Sequence, residues 1–152
     1  MFEAHGSYRL ELFNDVLVLS AVGAWNSQLA REFVDALQSF ESQLPERWAH
    51  VVLLEDWELL TSDAEELIYP TLKWVEDKGL CHTAHVYSFS PLKRYLLERM
   101  IPSGERSHRK QDFPSIQLAC DWLVEQGYQS AGEIPQQLVD IPAFTRHLRK
   151  QA

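Results

Sequence analysis

At 152 residues, 45% hydrophobic and 24% charged, the sequence has the size and make-up of one globular domain, which excludes a disordered or low-complexity chain. A net charge of −8 argues against DNA or RNA as the main partner. No apolar run approaches the ~20 residues of a membrane helix, and Met1-Phe2-Glu3-Ala4-His5 lacks the basic and apolar regions of a signal peptide, so no integral membrane segment and a cytoplasmic location are expected.

Along the chain, Tyr8, Leu10 and Leu12 alternate with Arg9, Glu11 and Phe13, the pattern of a half-buried edge strand. Asn14-Asp15 marks a tight turn. Residues 16–22 are apolar on both faces and are expected to form a central strand antiparallel to the first. Gly23 and Ala24 are expected to turn the chain. Asn26 then caps a helix whose Leu29, Phe33, Leu37, Phe40 and Leu44 share one face, ended by Pro45. Residues 51–54 form the next central strand, with Glu55-Asp56 at its end and Trp57 in the loop that follows.

Thr61 or Ser62 caps a second helix, with Ala64, Leu67, Ile68, Thr71, Leu72 and Val75 on its buried face. Asp63, Glu65 and Glu66 suit the positive end of its dipole. Pro70 falls on the outer face, where solvent takes the freed carbonyl of Glu66. Lys78-Gly79 ends the helix. Residues 81–89 read as a third buried strand. Ser90-Pro91 starts a third helix with Leu92, Leu96 and Met100 in one row and Tyr95 beside it. Residues 101–104 break it, and residues 103–110 read as an exposed loop. Residues 111–113 form a short last strand. Ser115 caps a fourth helix that buries Ile116, Ala119, Cys120 and Leu123 and stops at Gly127. Ile134-Pro135 and Ile141-Pro142 point to extended pieces, and residues 143–150 to a short basic helix.

Strands alternating with helices predict an α/β fold: a mixed, mostly parallel sheet of about five strands with an antiparallel edge strand and four helices. Residues 1–127 make the domain, and residues 128–152 a C-terminal extension packed on it or trailing from it.

The chemistry-bearing residues form no recognisable signature. Cys81 and Cys120 lie far apart, match no metal spacing and read as reduced thiols. His82 and His85, three apart on a strand, point to opposite faces, and His5, His50, His108 and His147 cannot be grouped by spacing. No metal and no cofactor are expected. Gly-x-Ser-x-Gly, Gly-x-Gly-x-x-Gly and Gly-Lys-Ser are missing. No catalytic residue is assigned and a non-enzymatic protein is expected; at least three titratable side chains converging in one cleft would reopen an enzymatic reading.

Trp25 and Trp57 each follow the C-terminal end of a strand, the edge where α/β sheets bind ligands. Sealing the core is their other role. Charge is unevenly placed: residues 1–92 balance at −10, residues 93–110 at +4 and residues 111–152 at −2. The acidic stretch 55–66 and the basic stretch with Lys93, Arg94 and Arg99 are expected to lie too far apart to meet within one molecule. Paired across a two-fold axis, with Trp57 and Tyr95 as an apolar centre, they would make a homodimer. The alternative is that the basic stretch receives an anionic ligand or another protein.

The ordered elements Gly23-Ala24-Trp25-Asn26, Asp56-Trp57 and Ala119-x-x-Trp122-Leu123 resemble those of SpoIIAA-like proteins over roughly residues 7–127. These share the fold of STAS domains, the anti-sigma-factor-antagonist type, and the bacterial STAS/SEC14-like branch fits best. The resemblance implies a non-enzymatic binding or regulatory module acting by protein contact. Its SEC14-like side implies instead a carrier of a small apolar or amphipathic ligand. In anti-sigma-factor antagonists a Ser at the start of the second helix is phosphorylated within an Asp-Ser-Ser-Gly-like stretch. The matching Thr61-Ser62-Asp63-Ala64 lacks the glycine, and a phosphate there would meet like charge from the acids of the first turn. The residues carried forward as ligand or partner candidates are Trp25, Asn26, Trp57, Thr61, Ser62, Lys93, Arg94, Tyr95 and Arg99.

Overall fold

A computed structural model describes residues 6–100 and 108–135, the side chains of Leu59 and Met100 apart. The expected break at 101–104, the loop over 103–107, Ile141-Pro142, the helix over 143–150, His5 and His147 lie outside the described residues.

The elements in order are β1 (Ser7–Phe13), β2 (Val16–Trp25), α1 (Ser27–Gln38), β3 (Trp48–Leu53), β4 (Trp57–Leu60), α2 (Ser62–Asp77), β5 (Leu80–Val86), α3 (Pro91–Met100), β6 (Arg109–Phe113) and α4 (Ile116–Glu125). Single 3-10 turns follow α1 at Glu41–Gln43 and α4 at Gln129–Glu133. The sheet runs β1-β2-β3-β5-β6, and β4 pairs with the far end of β2. Only β1 is antiparallel; β2 pairs β3, β3 pairs β5 and β5 pairs β6 in parallel. The two-residue turn between β1 and β2 rests on Asn14, whose φ of 58° is one that Asn tolerates well.

The sheet is buried on both faces because its central strands are apolar at successive positions. Leu17, Leu19, Trp48 and Val52 face α1 and α2, which pack on each other, and Leu96 and Leu97 of α3 join that side. Val16, Val51, Ala84 and Val86 face α4, together with Tyr128, Ala131 and Ile134. α1, α2 and α4 are capped by the expected type of side chain: Asn26 takes the Leu29 amide at 3.0 Å, Thr61 the Ala64 amide at 3.4 Å, and Ser115 the Leu118 amide at 3.2 Å. Ser90 does the same for the Lys93 amide at 3.2 Å. Gly79 closes α2 at φ 104°, and a Cβ there would stand 2.0 Å from the Glu46 carbonyl oxygen, so only glycine fits. α2 runs unbroken through Pro70, which is exposed, as is Glu66.

Five expectations are corrected. Gly23 and Ala24 do not end the second strand. Gly23 adopts φ 74°, the pairing shifts register there, and β2 continues to Trp25 on a new neighbour. That neighbour is β4, a sixth strand in what was expected to be a loop; its four residues are too few for a periodic signal. α1 stops at Ser39, whose hydroxyl bonds back to the Ala36 carbonyl, so Phe40 and Leu44 lie beyond the helix and are only partly buried. In α3 Leu97 is the buried residue and Leu96 packs partly against the core, whereas Leu92, expected in the same row, is 62% exposed. β6 starts at Arg109, since an edge strand tolerates charged residues on its open side.

Candidate functional site

The strand ends build a cavity under α1, α2 and α3. β2 last pairs β3 at Ser20 and Leu53, then pairs β4 from Gly23, whose amide donates to the Asp56 carbonyl at 2.8 Å. This places Trp25 against Phe33, ring centroids 5.4 Å apart, with Tyr8 5.9 Å from Trp25. The Trp25 indole N–H donates to the Val22 carbonyl at 3.2 Å, so its one polar atom is satisfied. Trp57 is likewise buried. Between them lies a cavity of about 110 Å³, lined on the helix side by Phe33, Ile68, Val75 and Leu97.

Its sheet side is different. His50 of β3, Thr83 and His85 of β5, and His108 just before β6 all line it. They come together through register: His50 lies opposite Thr83, and Val52 opposite His85. An extra residue in β5, Cys81, falls where Trp48 pairs Leu80 but Ala49 pairs His82. Beyond this bulge His82 faces α4, with its Nδ1 2.9 Å from the Tyr128 hydroxyl, while Thr83 and His85 face the cavity. His82 and His85 therefore do lie on opposite faces.

Two hydrogen-bonded chains anchor this wall. In one, His108 places Nδ1 3.1 Å from Glu76 Oε2 and Nε2 2.8 Å from the Thr83 hydroxyl. A carboxylate only accepts, so Nδ1 donates to Glu76 and Nε2 accepts from Thr83. In the other, His85 Nδ1 lies 3.3 Å from Asp112 Oδ1, and the Tyr87 hydroxyl donates to Oδ2. The bonds from His85 and Tyr87 hold the Asp112 carboxyl below its usual range, against partial burial. Burial and Asp112 together push the Tyr87 hydroxyl up, which keeps it a neutral donor. Burial also pushes His108 down and takes His50 down to about 3, with His85 and His108 adding to the effect on His50. Two polar atoms of the wall, His50 Nε2 and His85 Nε2, are buried and have no partner among the described residues.

His85 and Leu97 also line a second space, a cleft of about 330 Å³ with Arg94, Glu98, Lys110 and Asp112 around it. The apolar cavity and the polar cleft thus share a wall. Partial burial lowers Lys110. Arg94 pairs with Glu98 at 3.1 Å.

Three imidazoles converging on one cavity is the arrangement that would reopen an enzymatic reading. Glu76–His108–Thr83 even has the bonding order of an acyl-transfer triad. It lacks the other half of that chemistry. Thr83 is interior to a strand paired on both sides, to His50 and to Lys110, so the amides around it belong to the ladder and form no oxyanion hole. Among the described residues no group of three or more His, Cys, Asp or Glu is placed to hold a metal ion.

Of the residues singled out in the sequence, the structure brings Trp25 and Trp57 together at the cavity. Asn26 and Thr61 act as caps, and Ser62 is exposed at the start of α2. Lys93 donates to the carbonyls of Leu54 and Glu55 at 2.8 and 2.7 Å. Arg99 pairs with Glu65 at 3.0 Å, and Tyr95 is exposed. The acidic and basic stretches therefore meet within one molecule, contrary to expectation, and buried Trp57 gives no apolar centre to an interface. Residues 55–66 end β3 and start α2, and α3 lies beside both, which sequence distance conceals. The imidazole wall was missed outright. Its trace in the sequence is that His50 breaks the otherwise apolar β3 and that His82, Thr83 and His85 interrupt β5.

No family model and no curated protein matches the sequence. Solved structures do match. An uncharacterized DUF3478-family protein with a SpoIIAA-like fold from Shewanella loihica PV-4 superposes with TM-score 0.59 at 16% identity, covering 81% of this chain and 97% of that one. The fold is SpoIIAA-like. The anti-sigma factor antagonist SpoIIAA in its unphosphorylated form gives 0.54 at 15%, covering 78% and 98%. The Bacillus cell fate determinant SpoIIAA in its phosphorylated form gives 0.54 at 14%, covering 77% and 99%. The SpoIIAA-like fold thus spans about four-fifths of this chain. Among the described residues no helix is long and apolar enough to cross a membrane.

Proposed function

We propose that this protein is a non-enzymatic binding module that holds a small, mainly apolar molecule inside its SpoIIAA-like domain. One observation carries the reading: the cavity of about 110 Å³ bounded by Trp25, Trp57, Phe33 and Leu97. Protein interiors close to crystal density leave few voids of this size; since an apolar cavity of about 150 Å³ takes up benzene, one of about 110 Å³ suits a small apolar molecule. The two free thiols favour a reducing compartment, and hence the cytoplasm.

The test is native mass spectrometry of gently purified protein, beside the variant Ala21→Leu, which fills the cavity from its wall. A stoichiometric small molecule on the wild type, missing from a folded Ala21→Leu, is the expected result. A clean apo mass, with no gain in melting temperature from any of a panel of apolar probes, overturns the reading.

A second reading, contact with another protein or with a second copy of this chain, rests on α3 and the residues leading into it. Phe89, Leu92 and Tyr95 are 85, 62 and 59% exposed there. Rings and a leucine so exposed are unusual on a closed surface and suit a partner.

A further inference from the structure

The wall of the cavity decides what it can hold. Resting on the binding reading above, we propose that the ligand is a small hydrocarbon with no hydrogen-bonding group, and that the Glu76–His108–Thr83 chain enforces this choice by holding the Thr83 hydroxyl away from the occupant.

The residues of the wall and the surface it presents are at odds. Among the described residues three imidazoles, two hydroxyls and two indoles line the space, yet the surface facing its interior is almost entirely carbon. Hydrogen bonds account for the difference. His108 commits one ring nitrogen to Glu76 at 3.1 Å and the other to Thr83 at 2.8 Å, and so engages the Thr83 hydroxyl as well. Thr71 turns its hydroxyl back to the Leu67 carbonyl of its own helix at 3.4 Å. The Trp25 N–H is bonded to the Val22 carbonyl. The Nε2 atoms of His50 and His85 have no partner, but they are sealed within the wall and offer an occupant nothing. A ligand hydroxyl or ring nitrogen would lose its water on entry and find no replacement, a loss that a hydrocarbon of the same shape does not suffer. Leu19, Phe33, Leu54 and Leu97 are there to pack against such a molecule. Of the bonds in the wall, the one at Thr83 is held from furthest away: it joins β5 to α2 through the residue that precedes β6.

Benzene, pyridine and phenol make the test, since they share one ring and add nothing, an acceptor or a hydroxyl. Calorimetry on the full chain at pH 7 should show benzene tighter than either of the others by about tenfold, the equivalent of one unmatched hydrogen bond. Thr83→Val, which keeps the shape, should leave the order and the gaps unchanged, because the hydroxyl is not offered to the ligand. His108→Leu should release that hydroxyl and narrow the gap between benzene and phenol, with benzene binding as the sign that the variant is folded. Phenol or pyridine binding as tightly as benzene overturns the hydrocarbon assignment and leaves the binding reading standing, and so does a loss of phenol affinity in Thr83→Val. An undiminished gap in a His108→Leu that still binds benzene overturns the role of the chain. If none of the three compounds binds the wild type, the binding reading falls as well.

Discussion

Thr61 and Ser62 stand side by side at the start of α2 and do different things. The Thr61 hydroxyl caps the helix through the Ala64 amide and also donates to Asp63 at 2.6 Å, while Ser62 is exposed. Thr61→Ala should therefore lower stability by about 1 kcal/mol, and Ser62→Ala by only a few tenths, read from denaturant midpoints. Equal effects would deny Thr61 its role. If Ser62 carries a phospho-switch like the one in the anti-sigma-factor antagonists, Ser62→Asp must change partner binding. The acids crowding that turn argue that it changes neither binding nor stability. The imidazoles supply a second residue-scale test. His50 titrates at about 3 in the folded protein, below the ~6.5 of an exposed imidazole. Between these values the unfolded chain holds the proton and the folded one does not. The contribution is thus fully present above about pH 6.5 and is lost as pH falls towards 3. His82 and His108 are shifted in the same direction and add to the slope. His50→Gln should flatten the loss of stability between neutral and mildly acid pH without abolishing it. An unchanged slope would mean that His50 is hydrated in the native state.

At the scale of elements, what could be read from sequence was whatever repeats. β1 and α2 show their periods over six or more residues, β2 begins as an unbroken apolar run, and each forms where that pattern places it, with β2 running on to Trp25. Caps were legible too, since Asn26, Thr61, Ser90 and Ser115 act locally. Apart from the early end of α1 at Ser39, which is local, the larger misses involve partners distant in sequence. β4 exists because the bulge at Gly23 offers it an unpaired strand end, which no four-residue window reveals. The inward face of α3 is chosen by the cavity beneath it, and its own spacing suits Leu92 as well as Leu97. The tryptophans were visible because each sits at a strand end. The imidazole wall was not. His50, His85 and His108 come from three segments, and only the register of β3 against β5, with its bulge at Cys81, aligns them.

For the whole molecule, the question is how copies of this chain meet one another or another protein. The net charge of −8 gives a repulsive background between copies. The acidic and basic stretches do not offset it between molecules, because Arg99 is engaged with Glu65 and Lys93 with the end of β3 in the same chain. Any self-association is therefore apolar, and the exposed Leu92 and Tyr95 are the side chains to carry it. Such a contact should strengthen as salt screens the net charge, the opposite of pairing between charged stretches. Light scattering at tens of micromolar in low and high salt separates the two. The expected pattern is a dimer fraction that rises with salt and is lost in Leu92→Asp. Dissociation in high salt would restore the charge-paired dimer, whereas a monomer in both conditions would leave the exposed face of α3 to a different protein.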